Sequence, residues 1–306
     1  MALRLRGHVE LPAHRGQGGF DHAAVHHRLG LLYLAHTAND ALDVIDTATQ
    51  HHVGSIEKLP GVAGALVSEP RDRVFTSNRG ENTVGIFAPG DEASLVRVPV
   101  GVRPNGLAYD PERDLLLAAN VGDPARPESY TVSLVDVASH TLVADVPVAG
   151  RTRWAVFDGA RAAFCVNIAG PPWIQIVDAR TRLVTRTIPL AATGPHGLDL
   201  DAARRRLFCA CDDGALIEVD LETWAPATRA TLSGPPDVIF FNAHLRHLYV
   251  AVGEPGVIDV LDTESWRRIE TVPTERGAHT LAFDARHDTV YAFLPETHRA
   301  AVYHDS

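Results

Sequence analysis

The sequence predicts an all-β protein, a seven-bladed β-propeller of four-stranded blades closed by its own N-terminal strand. Two observations lead there. Three landmarks recur seven times, about every 42 residues. The last repeat also lacks a fourth strand, and the first residues of the chain supply a matching one.

The first landmark opens each repeat with a short apolar strand: HAAVHH from His22, GALVSE from Gly64, NGLAYD from Asn105, RWAVFD from Arg153, HGLDLD from His196, DVIFFN from Asp237 and HTLAFD from His279. The second is a β-branched and aromatic strand, as in YLAH (33–36), FTSN (75–78), LAAN (117–120) and FCVN (164–167). The third is an alternating strand such as TVSLVD (131–136), which usually ends in Asp. That carboxylate suits a tight turn into strand four, because it accepts nearby backbone N–H groups. Period-two alternation with regular turns argues for strands throughout. One four-stranded sheet cannot bury both faces, whereas seven arranged radially can. The blades fall at 22–60, 64–100, 105–149, 153–191, 196–233, 237–273 and 279–305, all in one domain spanning 1–306. Residues 3–12 resemble strand four of the other repeats and complete blade seven, which removes an open sheet edge.

Composition narrows the function classes. Of 306 residues 45% are hydrophobic and 22% charged, enough for a large core. The net charge of -10 repels phosphate backbones, so nucleic acid is a poor partner. No apolar run approaches the length of a membrane span or a signal-peptide core. Cys165, Cys209 and Cys211 form no disulfide framework, and a cytoplasmic setting is expected. Cys165 and Cys209 read as small core residues between blades. Nucleophile-elbow, phosphate-loop and dinucleotide glycine motifs are absent from the sequence. The only lysine, Lys58, lies on an outer strand, which disfavours Schiff-base chemistry.

Strand one lines the central channel, so its opening positions form a ring at one mouth: His22, Gly64, Asn105, Arg153, His196, Asp237 and His279. His196, Asp237, His279 and His22 come from consecutive blades. Imidazoles with a carboxylate suit a divalent metal, Zn²⁺ or Fe²⁺ foremost. The competing reading is a solvated polar ring whose members bind one another. Across the ring, Arg153 suits an anionic substrate or developing oxyanion, with Asn105 beside it. These residues suggest a metal-dependent enzyme acting on a small-molecule substrate, by lactone or ester hydrolysis or lyase chemistry. The alternatives are a propeller that only binds a protein partner or small ligand, and an Fe²⁺-dependent oxidative enzyme.

A second ring holds His36, Asn78, Asn120, Asn167 and Cys211. The asparagines read as structural. His36 fits either a general base reaching the mouth or a hydrogen-bonded histidine between blades. The segments HRGQGGFD (14–21), NVGDPARPESY (120–130) and NIAGPPW (167–173), with Trp154, could roof a pocket over the ring.

The FTSN, LAAN and FCVN segments, with ENTVGIF (81–87), resemble the YVTN-type propeller repeat along nearly the whole chain. This implies the fold without choosing an activity. RPNGLAYD (103–110) is similar to the PNG segment of gluconolactonase-like propellers, which implies Asn105 and Asp237 as metal ligands. Those enzymes use a Glu in the early blade, where this chain has His22. GPHGLDLD (194–201) resembles the PHG repeat of virginiamycin B lyase.

Overall fold

Burial separates the strands of each blade by role. In blade one the second strand, Leu31–His36, is buried over all but its first residue, whereas the fourth, His51–Ile56, alternates between exposed and covered positions. Second and third strands therefore carry Leu, Val, Ile and aromatics on both faces, and fourth strands are polar outside. In the computed structural model, which describes residues 2–306, this pattern repeats in seven antiparallel four-stranded sheets. Each sheet runs in sequence order from the channel outward, except the last. There the order outward is Leu281–Asp284, Thr289–Leu294, Arg299–Asp305 and then Leu3–Glu10. The N-terminal strand thus completes blade seven, paired from Leu3 opposite Asp305 to Glu10 opposite Arg299. The only helical segments among the described residues are two single 3₁₀ turns, Thr37–Asn39 and Pro127–Ser129.

The core is divided among the interfaces between neighbouring blades. Tyr33 and Leu42 of blade one meet Val62 and Val74 of blade two. Cys165 of blade four meets Leu198 and Cys209 of blade five. All three cysteines are free and buried, as their place between sheets requires. Each large apolar side chain buried here contributes about 1.5–3 kcal/mol.

The repeated Asp behaves as its turn demands. Asp46 accepts the N–H groups of Ala48 and Thr49 at 3.0 and 2.7 Å, and Asp178, Asp220 and Asp262 make equivalent pairs. In blade two the position is Ala88, whose own N–H donates to Ser94 Oγ at 3.0 Å.

One feature aims the channel-mouth residues. In blades two to six the inner strand carries a bulge at its start, as between Pro104 and Leu107, Thr152 and Ala155, Pro195 and Gly197, and Pro236 and Ile239. In blades three to six the bulge contains the ring residue, and in blade two it contains Ala63, next to Gly64. Such an irregularity turns a side chain out of the sheet's alternation. Gly197 is needed beside it, because a Cβ there would collide with the carbonyl of Asp237 in the next blade.

Removing residues 2–10 is expected to lower Tm by more than about 10 °C and to cause association, because it bares the edge of Arg299–Asp305. Calorimetry and size-exclusion chromatography check this; an unchanged monomer with unchanged Tm would mean the ring holds without its closing strand.

Candidate functional site

The face where inner strands begin and second strands end is the upper face. Its channel mouth brings together Arg153, His196, Asp237 and His279 from blades four to seven. His196 is the hub. Its Nδ1 lies 2.8 Å from Asp212 Oδ1, and its Nε2 lies 3.1 Å from Asp237 Oδ1 and 2.9 Å from Arg153 Nη1. Asn167 of blade four holds the strand underneath, donating to the carbonyls of His196 and Gly197 at 2.8 and 3.2 Å.

The protonation state follows from these neighbours. A neutral His196 would accept from Arg153, and a protonated one donates to both carboxylates. Burial by itself depresses the imidazole pKa. Asp237 and Asp212 outweigh both burial and the Arg153 charge, and the pKa rises to about 9. Asp237 shows the mirror effect: burial opposes its charge, yet His196, His279 and His22 hold it well below the usual carboxylate range. Arg153 Nη1 then presses on an imidazolium, a like-charge contact only partly relieved by Asp212 at 3.4 Å from Nη2.

His279 differs in kind. Its Nδ1–H donates to the Gly277 carbonyl at 2.7 Å, so in the neutral ring the lone pair sits on Nε2. That nitrogen is 3.9 Å from Asp237 Oδ2, and the side chain is 38% exposed. His196 thus presents N–H donors to two carboxylates, and the neutral form of His279 would present its lone pair on Nε2.

Arginines gather on the other arc. Arg151 is depressed from its ordinary pKa by burial and by the positive charges of Arg153, Arg103 and Arg79. Arg79 pairs with Asp21 at 2.9 Å. Three polar atoms at this mouth are buried without partners among the described residues: Arg79 Nε, Arg153 Nε and Asn105 Oδ1.

Several expectations need correction. Of the proposed metal set His22, His196, His279 and Asp237, the two histidines His196 and His279 lie 3.1 and 3.9 Å from Asp237, while among the described residues no three His, Cys, Asp or Glu side chains form a metal-holding group. Both nitrogens of His196 are occupied, and a guanidinium stands where a cation would have to enter. The His22 ring packs on Trp154, centroids 4.1 Å apart, with its Nε2 3.3 Å from Asp21. His36 does not reach the mouth. It is fully buried between Asp43, 2.7 Å from Nδ1, and His14, 2.8 Å from Nε2. Trp154 lies beneath the ring rather than over it. Its indole crosses the channel from blade four to His22 of blade one and meets Phe240 of blade six edge-on. The 120–130 loop folds on itself through Asp123, Arg126 and Ser129.

Asp212, Arg79, Arg151 and Arg103 were missed. A signal was present: Arg79 and Asp212 each follow the last residue of a second strand, and they are the only charged residues in that slot.

No family model and no curated protein matches the chain. Solved structures share the fold. A chain of Kuenenia stuttgartiensis hydrazine synthase superimposes with a TM-score of 0.82 at 12% identity, covering 93% of this chain and 95% of that one. A chain of a mitotic checkpoint complex gives 0.83 at 10% identity, covering 98% and 91%. At such identities the likeness establishes the seven-bladed propeller alone.

His196 should mark stability with a pH signature. Its native pKa lies above the unfolded value of 6.5, so the charged ring adds stability that is complete below pH 6.5 and lost as pH rises through about 9. The Tm difference between the native protein and His196→Gln is expected to shrink across that window. A difference constant from pH 6 to 10 would show that the ring is not held protonated.

Proposed function

We propose that this propeller binds a small carboxylate-bearing molecule at its upper mouth and acts on it by acid–base chemistry, as a lyase or as a lactone or ester hydrolase. The observation that carries this is the contact between Arg153 and a His196 kept protonated by Asp212 and Asp237. An incoming anion relieves that like-charge contact and takes the unpartnered Nε–H of Arg153.

The roles follow from protonation. His279 Nε2 takes a proton from water or from a carbon beside the carboxylate. His196 delivers a proton to the departing oxygen. In this reading His196 serves in its protonated form and His279 in its neutral one, an acid–base pair. Arg153 holds the carboxylate or the oxyanion that forms, and Asn105 Oδ1 accepts from a substrate hydroxyl. Arg79, Arg103 and Arg151 draw anions toward a chain that is acidic as a whole. No step of this reading requires a metal. The repeat ends FTSN, LAAN and FCVN support a YVTN-type repeat, and three buried free thiols support a reducing, cytoplasmic setting. No helix among the described residues is long and apolar enough to cross a membrane. The second reading is a binding module without turnover; the similar chain of a mitotic checkpoint complex is part of an assembly.

Succinate, malate and lactate at about 10 mM are expected to raise Tm by several degrees in at least one case. Arg153→Met should abolish the rise and Arg103→Ala should reduce it. For any lactone or hydroxy acid turned over, His196→Gln and His279→Gln should each lower kcat about 100-fold or more. Binding without turnover would leave the module. No stabilisation by any of the three anions would overturn the site, as would stoichiometric metal in tag-free protein that His196→Ala removes.

A further inference from the structure

Below the ring the channel is a different environment. The indole of Trp154 and the ring of His22 close it from above. Beneath them a cavity of about 530 Å³ opens to the lower face, at a rim that includes Glu69, Pro70 and Pro111. That is the size of a pocket for an ordinary small organic ligand. Its walls are apolar and unusually aromatic, with Trp154, Tyr109, Phe157, Phe240 and Phe283.

One charged group faces this space from deep in the wall, Asp199 of blade five. Its two oxygens accept the backbone N–H groups of Phe241 and Leu200 at 2.6 and 2.7 Å. Each oxygen keeps acceptor capacity toward the cavity. What Asp199 lacks is a cation. Among the described residues even the buried carboxylates are matched: Asp43 by His36, Asp110 by Arg113, Asp158 by Arg205, Asp201 by Arg206, Glu218 by Arg229, Asp259 by Arg268, Asp284 by His27 and Asp305 by His247. Asp199 makes no ion pair of this kind. Burial, opposed by the two N–H groups, pushes its carboxyl up to about 6, which still leaves it mostly charged at neutral pH. An uncompensated charge in an apolar wall is costly unless something supplies its partner.

We propose that the lower channel binds a small organic ammonium with an aromatic or alkyl body. The ammonium meets Asp199. The body packs on the aromatic walls, whose ring faces also attract a cation. Glu69, 3.4 Å from Arg286, keeps the rim from being purely apolar. The site shares no residue with the anion-binding arc above.

Calorimetric titration of the full chain with 2-phenylethylamine, 2-phenylethanol and phenylacetate tests this at pH 7.5. The amine is expected to bind about tenfold or more tightly than the alcohol, and phenylacetate not to bind in the cavity. Asp199→Asn should remove the preference for the amine over the alcohol. Ala24→Trp, which fills the cavity without touching Asp199, should abolish binding of both. Arg103→Ala, which alters only the upper arc, should leave the amine unaffected. Equal binding of amine and alcohol, or amine binding retained in Ala24→Trp, would overturn the proposal.

Discussion

Pairing of the first strand with the last one holds the ring closed, and every distance at the channel mouth depends on it. Each blade contributes one or two side chains to that mouth, and several of the polar groups there reach across to a neighbouring blade. His196 needs Asp237 from the next sheet and Arg153 from the previous one. A ring free to open by a few ångströms would separate them. Closure is therefore a condition on chemistry as much as on stability, and the apolar interfaces between blades act as the spacers that set the radius.

Within that frame, the bulges convert a structural repeat into a site. A regular inner strand would alternate its side chains between the two neighbouring blades. The irregular start aims Asn105, Arg153, His196 and Asp237 at the channel instead, and glycines beside them let adjacent backbones approach. The same backbone device in five blades presents five different side chains. The repeat fixes where a group stands, and only the residue in the slot decides what it does. The result is a mouth with arginines on one arc, carboxylates on the other, and two histidines between them.

The fold was legible because its signals are periodic. Apolar alternation, turn aspartates and the missing last strand each recur or fail at fixed intervals, so errors at one repeat are corrected by the others. The ring positions were legible for the same reason. Side-chain partners were not, since they depend on how slots from different blades meet across a channel. His22 and His196 look equivalent in the sequence, yet one stacks on an indole and the other sits between carboxylates. His36 occupies a slot like that of Asn78 but is claimed by Asp43 and His14. Asp199 lies in a telling slot: the positions in the same register of the other inner strands are Ala24, Leu66, Ala108, Val156, Phe240 and Ala282, all apolar. A lone acid in a row of hydrocarbon side chains is a signal carried by the sequence itself.

The indole of Trp154, spanning from blade four to blade one, makes the pore a pair of blind chambers rather than a passage. Whatever diffuses in from one side must leave by the same door. A molecule held above cannot drain below, and one lodged below reaches the residues above only through the tilt of that one aromatic plate. The two ends of this molecule can thus carry separate chemical histories while sharing a single wall.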